Sequence, residues 1–212
     1  MEYLREPRAI EEKSFAIIER GIDKKLFSEE ELEVVKRVVH ATADFEFAHL
    51  IRFNHKAVDV GIDAIKAGWD IVTDTRMARA GVKRGLAKNF GVGVKCYSSS
   101  KKVSEIAKEQ GITRAMAGVI VSAQEPKNRI FVIGNSPTAL FKLNELIREG
   151  KINPALVVGV PVGFVGAKEA KEELLELPVP SIVVQGCKGG TPAAVAIMNA
   201  LLILAERRGK LE

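Results

Sequence analysis

The sequence predicts a three-layer α/β fold, a mostly parallel sheet with helices on both faces, and three observations carry that prediction. Between Ile130 and Ala200 one unit is spelled three times: an apolar strand, a loop of small residues, then an amphipathic helix. The strands, Ile130–Ile133, Ala155–Val158 and Ser181–Val184, are continuous four-residue runs bounded by Gly and Pro. That pattern suits strands buried on both faces, and hence a parallel sheet. Strand and helix patterns also alternate through the rest of the chain, as right-handed βα crossovers require. No stretch reads as a linker, so residues 1–212 are expected to form a single α/β domain.

The elements follow in order. Pro7 opens a helix over Arg8–Arg20, with Ile10, Ser14, Ile17 and Ile18 on one stripe and Gly21 after its end. Ser28 and Glu31 form a capping box for a second helix carrying Leu32, Val35, Val38 and Val39. Near His40 the period changes: Phe45, Phe47, Ile51 and Phe53 fall mostly at two-residue spacing, which fits a strand without removing continued helix. Asn54 is placed to cap a helix from His55 to Ala67, stopped by Gly68. Trp69–Thr73 reads as a strand, and Asp74 or Thr75 as the cap of a short helix ending at Gly81. Lys83–Phe90 reads as a basic loop and Val92–Tyr97 as a strand, followed by helices over Lys102–Gln110 and Thr113–Ala123. The three repeated units complete the chain.

Parallel strands deliver the three repeated loops, Gly134–Thr138, Gly159–Gly166 and Gly186–Thr191, to one edge. Helix N-termini present unpaired N–H groups there. The edge reads as a wide site for a large ligand carrying several negative groups. Backbone N–H groups would hold carboxylates, supplemented by Asn135, Thr138, Lys188 and Thr191. Arg76 at the first βα turn and the glycines Gly163, Gly189 and Gly190 belong to the same candidate surface.

Composition narrows the partners. Lys and Arg exceed Asp and Glu, for a formal net charge of +5, which suits solubility and attraction of anionic ligands. The cations are scattered without an aromatic stacking cluster, so nucleic acid is not expected as a partner. The two cysteines, Cys96 and Cys187, are too far apart for a metal motif. With no secretory signal and no membrane-length apolar run, a soluble cytoplasmic protein is expected.

The chain has three histidines, His40, His49 and His55, at spacings that match no zinc motif. His55 and His49 read as surface or packing residues. His40 follows Val38-Val39 near a helix end, where positive charge is favoured and Asp44 lies one turn on. Spacing alone leaves it between a structural histidine and one turned toward the sheet edge. Ser14 is either small-residue packing or a ligand contact. Arg114 follows the N-cap Thr113, a poor place for a cation on helix-dipole grounds, so either an anionic partner holds it or it is simply exposed. None of the loops is a standard nucleotide motif: Gly186–Thr191 lacks the spacing of a P-loop, and Gly159–Gly166 carries Pro161.

At these residues the chain resembles the precorrin-8X methylmutase family of cobalamin biosynthesis, including its cobalt-precorrin-8 branch. The match begins at Tyr3-Leu-Arg-Glu-Pro7 and Lys13-Ser14-Phe15, and continues through Val39-His40-Ala41, Asp74 with Met77, and Gly111-Ile-Thr-Arg114-Ala115. Its densest stretch is Ile133-Gly-Asn-Ser-Pro-Thr-Ala-Leu-Phe141, followed by Pro154-Ala-Leu156 and Pro161-Val-Gly-Phe-Val-Gly166 with Ala167 and Lys171. Gly189-Gly190 and Asn199-Ala200-Leu201 close it. Two departures stand out: Lys83 occupies a place where relatives often carry Thr, and Thr42-Ala43 stand where many have Cys-Gly.

The resemblance implies an isomerase that moves a methyl group from carbon 11 to carbon 12 of the macrocycle, with no cofactor. It further implies a homodimer with substrate near the subunit interface, His40 as acid or hydrogen-bond donor, and Ser14 and Arg114 close to the ligand. Two rival readings stay open: a non-catalytic tetrapyrrole-binding carrier of the same fold, and a generic α/β enzyme for a phosphorylated ligand.

Overall fold

The computed structural model describes residues 4–210, so Tyr3 of the first resembling motif lies outside the described residues. In chain order the first half holds α1 (Pro7–Arg20), α2 (Glu29–Thr42), α3 (Glu46–Leu50), β1 (Ile51–Asn54), α4 (Ala57–Lys66), β2 (Asp70–Thr73), α5 (Arg76–Gly81), α6 (Arg84–Asn89) and β3 (Val94–Lys95). The second half holds α7 (Lys101–Gln110), α8 (Arg114–Ala123), β4 (Asn128–Ile133), α9 (Pro137–Arg148), β5 (Leu156–Gly159), α10 (Ala167–Leu175), β6 (Ser181–Val184) and α11 (Thr191–Gly209). The six strands form one sheet in the order β1-β6-β5-β4-β2-β3. All neighbours are parallel except β1, which runs antiparallel to β6 with Ile51 opposite Val184.

The continuous apolar runs explain the three layers. Ile130 and Val132 of β4 enter one core with α2, α4 and α11, while Phe131 and Ile133 enter the other with α9 and α10. Both faces are covered, as the absence of alternation implied. Ile62, Ile65, Leu156 and Ile182 are fully buried, and each such side chain contributes about 1.5–3 kcal/mol. The capping box at α2 forms as read: the Glu31 N–H donates to Ser28 Oγ at 3.3 Å, and the Ser28 N–H donates to Glu31 Oε2 at 2.9 Å.

Four expectations need correction. The Phe45–Phe53 segment is neither all strand nor all helix: α3 takes Glu46–Leu50, and Ile51–Asn54 become the antiparallel edge strand. Asn54 does not cap α4. His55 and Lys56 both adopt left-handed backbone, at φ 51° and 54°, reversing the chain before the helix begins at Ala57, and the Asn54 amide donates instead to the Leu175 carbonyl at 3.1 Å. Lys83–Phe90 is largely helical, because Ala87 is buried and Leu86 and Phe90 pack on the same core beneath the cations. The strand expected over Val92–Tyr97 shrinks to Val94–Lys95, since β3 is an edge strand paired only with β2. The chain ends α2 at Ala43 in the left-handed region, φ 52°, a conformation that favours glycine.

β4 lies between β5 and β2, and the connection from β4 leads outward to β5 on one side while that from β2 leads outward to β3 on the other. The crevice between the carboxyl ends of β2 and β4 is therefore a topological switch point, the usual ligand position in such sheets. The loops after β6, β5, β4 and β2 lie side by side along this edge, spanning three strand spacings, roughly 14 Å.

Candidate active site

At one end of the edge, His40 stands in the last turn of α2. Its ring packs against Phe15 of α1 with centroids 5.2 Å apart and planes tilted by 59°. Lys36 and Arg37 sit over the same phenyl ring at 5.5 and 5.3 Å. His40 itself is exposed, and among the described residues no group hydrogen-bonds its imidazole. The Phe15 contact thus fixes the ring while both nitrogens stay available to a ligand. Ser14, Ile17, Ile18, Val39, His40 and Phe45 surround an open cavity of about 230 Å³. The Ser14 hydroxyl donates to the Ile10 carbonyl at 2.8 Å, leaving its oxygen as an acceptor toward that cavity.

The switch point carries the second cluster. Asp74 does not cap the helix that follows it; Thr75 does, accepting the Ala78 N–H at 3.1 Å. The Asp74 carboxylate instead accepts backbone N–H bonds from Gly134 (3.3 Å), Asn135 (2.8 Å) and Ser136 (2.8 Å). An acidic side chain just past β2 thereby fills the anion-binding nest that the sequence suggested for a substrate carboxylate. Burial outweighs those three bonds and pushes the Asp74 carboxyl above its ordinary value. The Thr138 hydroxyl bonds to Ser136 Oγ and to Thr113 Oγ1, both at 2.9 Å. Thr113 caps α8 through the Met116 N–H, so this bond ties the start of α8, where Arg114 is the first helical residue, to the start of α9. Arg114 and Arg76 are exposed, and neither forms an ion pair among the described residues.

Between the clusters run the loops after β5 and β6. The Gly163 N–H donates to the Cys187 carbonyl at 3.1 Å, and the Gly190 N–H to the Val160 carbonyl at 2.8 Å. A Cβ added at Gly189 would lie 2.2 Å from the Val160 carbonyl oxygen, so the two loops pack backbone to backbone and only glycine fits. The N–H groups of Asn135, Gly163 and Gly190 are therefore engaged within the protein. These three N–H groups, expected to be open to carboxylates, already have acceptors within the protein. Lys188 is held as well, its ammonium 2.5 Å from Asp44 Oδ2 and 2.7 Å from Glu46 Oε2.

The sequence reading quoted Phe15, Asp74 and Lys171 only as matched positions and gave none of them a place in the site, Lys171 above all. Lys171 lies on the buried stripe Ala167–Ala170–Lys171–Leu174 of α10, and a lysine at such a spacing was the available signal. Its side chain is fully buried, and Nζ donates to the Lys188 carbonyl at 2.7 Å. Burial pushes its amine down from 10.5 to about 8, opposed by Cys187. Between those two values the unfolded chain binds a proton that the folded protein releases, so this group makes stability rise with pH. Lys171→Met is expected to flatten that rise between about pH 8 and 10.5, measured as urea midpoints across the range. Parallel slopes in both proteins would contradict the assignment.

The arrangement is that of an α/β enzyme with an acid–base candidate and exposed arginines set along the carboxyl edge of its sheet. A family model described as precorrin-8X methylmutase (CbiC) matches residues 9–204. The chain belongs to the precorrin-8X methylmutase family. It is 44% identical over 211 residues to the cobalt-precorrin-8 methylmutase of Leptospira interrogans, covering 96% of each chain. It is 46% identical over 180 residues to the enzyme of that name from Methanocaldococcus jannaschii, covering 85% of this chain and 82% of the relative. A solved structure of precorrin-8x methyl mutase from Thermus thermophilus superimposes with a TM-score of 0.87 at 43% identity, over 95% of this chain and 98% of that one. The chain is thus an isomerase of cobalamin biosynthesis, of the methylmutase kind. No described helix is long and apolar enough to cross a membrane.

Proposed function

We propose that this chain moves a methyl group from carbon 11 to carbon 12 of precorrin-8X or cobalt-precorrin-8, giving hydrogenobyrinate or cobyrinate. The observation that carries the reading is the cavity shared by His40 and Ser14, whose other walls are apolar and whose histidine is braced by Phe15 yet open to a ligand. The substrate is a large macrocycle edged with carboxylates. Arg76 and Arg114, exposed and without ion pairs among the described residues, suit those carboxylates. Asn135 and Thr138 supply polar side chains beside them, and Gly163, Gly189 and Gly190 shape the floor between the two clusters. Both relatives named above bear the cobalt form in their names, which supports cobalt-precorrin-8 as the first substrate to test.

In this mechanism one carbon–carbon bond breaks at carbon 11 and one forms at carbon 12, with no change in oxidation level. The protein holds the ring so that the methyl group lies over its new position. His40 donates a hydrogen bond or proton where ring basicity rises in the transition state. A partner subunit meeting the exposed Phe164 and Val165, 96% and 88% accessible, would close the site from above in a homodimer. The cytoplasm suits the two cysteines, both free thiols.

The test is substrate carrying a ¹³C-labelled methyl group at carbon 11, incubated without any methyl donor or redox cofactor. Appearance of the label at carbon 12 is expected. Binding with the label fixed at carbon 11 would favour the non-catalytic carrier. Arg114→Ala is expected to raise KM about tenfold at low salt, with a weaker dependence of KM on salt than in the parent protein. An unchanged KM across a salt series would remove Arg114 from the binding surface.

A further inference from the structure

Lys188 was read from the sequence as a free cation for a substrate carboxylate, and its surroundings argue for another role. Its ammonium already meets Asp44 and Glu46 at 2.5 and 2.7 Å, so the trio carries a net charge of −1 and would repel a further carboxylate. Asp44 and Glu46 stand at the junction of α2 and α3, immediately beyond the turn that carries His40. Asp44 also accepts the Glu46 N–H at 2.9 Å, which closes the first turn of α3. Between them and His40 lies Ala43, held at φ 52°. A non-glycine residue keeps that conformation only where its surroundings fix it.

The other end of the tie is equally fixed. The Lys188 carbonyl accepts the buried Lys171 ammonium at 2.7 Å. The flanking residues Cys187 and Gly190 are bonded to the loop after β5, and Gly189 lies in close backbone contact with Val160. The loop after β6 is therefore a rigid anchor, and from it the Lys188 side chain reaches Asp44 just past the end of α2, 144 residues upstream in sequence.

We propose that Lys188 is a positioning residue: its ion pairs with Asp44 and Glu46 set the end of α2 and hold the His40 imidazole toward the substrate edge, with Lys171 fixing the loop from which it reaches. The inference rests on His40 acting as the donor proposed above, and it adds a residue that never needs to touch the substrate. A surface ion pair of this kind contributes little to global stability, so its effect belongs in geometry and in kcat.

The test combines kinetics with a signal that needs no turnover. Lys188→Ala is expected to lower kcat about tenfold with KM changed less than twofold, Lys188→Arg to restore most of the rate, and Asp44→Ala combined with Lys188→Ala to be no slower than the worse single variant. In ¹³C-histidine-labelled protein, Lys188→Ala is expected to move the His40 ring signal and leave those of His49 and His55 in place. A raised KM at unchanged kcat would make Lys188 a substrate ligand and overturn the proposal. An unmoved His40 signal in the folded variant would overturn it too. If the parent protein itself converts no substrate, the methylmutase reading fails, while the ring signal still decides whether Lys188 positions His40.

Discussion

His40→Ala is expected to lose turnover by roughly 10²–10⁴-fold, about 3–5 kcal/mol of barrier, the usual contribution of a placed acid–base group. The fold should survive, because the imidazole is exposed and has no hydrogen-bond partner among the described residues. Its removal leaves no buried polar group unpaired. Macrocycle affinity should also change little, since the binding residues proposed above are spread over the whole loop edge. The measurement is kcat and KM side by side, with the melting curve as control. A tenfold rise in KM at full kcat would make His40 a binding residue and remove acid catalysis from the account.

Asp74→Ala should have the largest effect on stability. The substitution leaves the N–H groups of Gly134, Asn135 and Ser136 without their acceptor at the start of α9. Stranded buried donors cost roughly 1–3 kcal/mol each, and hydrogen bonds to charged groups lie at the strong end. With water reaching the exposed Asn135, a net loss of about 3–5 kcal/mol is expected. Asp74→Asn should fall between, because its amide group turns a donor toward at least one of those N–H groups. Urea titration of the three proteins gives the order; an Asn variant as stable as the parent would mean that the negative charge contributes nothing to the nest. The loop after β4 bears Asn135 and leads directly to Thr138 in the first turn of α9, so activity should decline with stability along this series.

The sequence made the framework legible where local chemistry decides it. Apolar runs between Gly and Pro marked β4, β5 and β6, and the Ser28–Glu31 box marked α2. It was silent where distant segments decide. Nothing near Ile51–Asn54 says that this strand joins β6 antiparallel, and the cations of Lys83–Phe90 masked the Leu86, Ala87 and Phe90 contacts that make it helical. The site divided in the same way. Small residues in the loops suggested a ligand edge, but the N–H groups of Gly134, Asn135 and Ser136 are bonded to Asp74 and those of Gly163 and Gly190 to neighbouring loops. Lys188 looked free because its partners, Asp44 and Glu46, lie far upstream in the chain. His40 gained its assignment from the resemblance, for its spacing alone left a packing role open. The structure then placed it with Ser14 and Phe15, a grouping that needs α1 and α2 side by side.

The central claim is that this protein alone converts the macrocycle and does so through His40. It is tested most directly by mixing the protein stoichiometrically with cobalt-precorrin-8, and separately with precorrin-8X, and following the visible spectrum without added cofactor. The account expects the completed corrin spectrum to grow in with one or both substrates, and to fail to grow with His40→Ala although the macrocycle still binds. A spectrum that shifts on binding and then stays constant in the parent protein, or one that develops equally fast in His40→Ala, would contradict it.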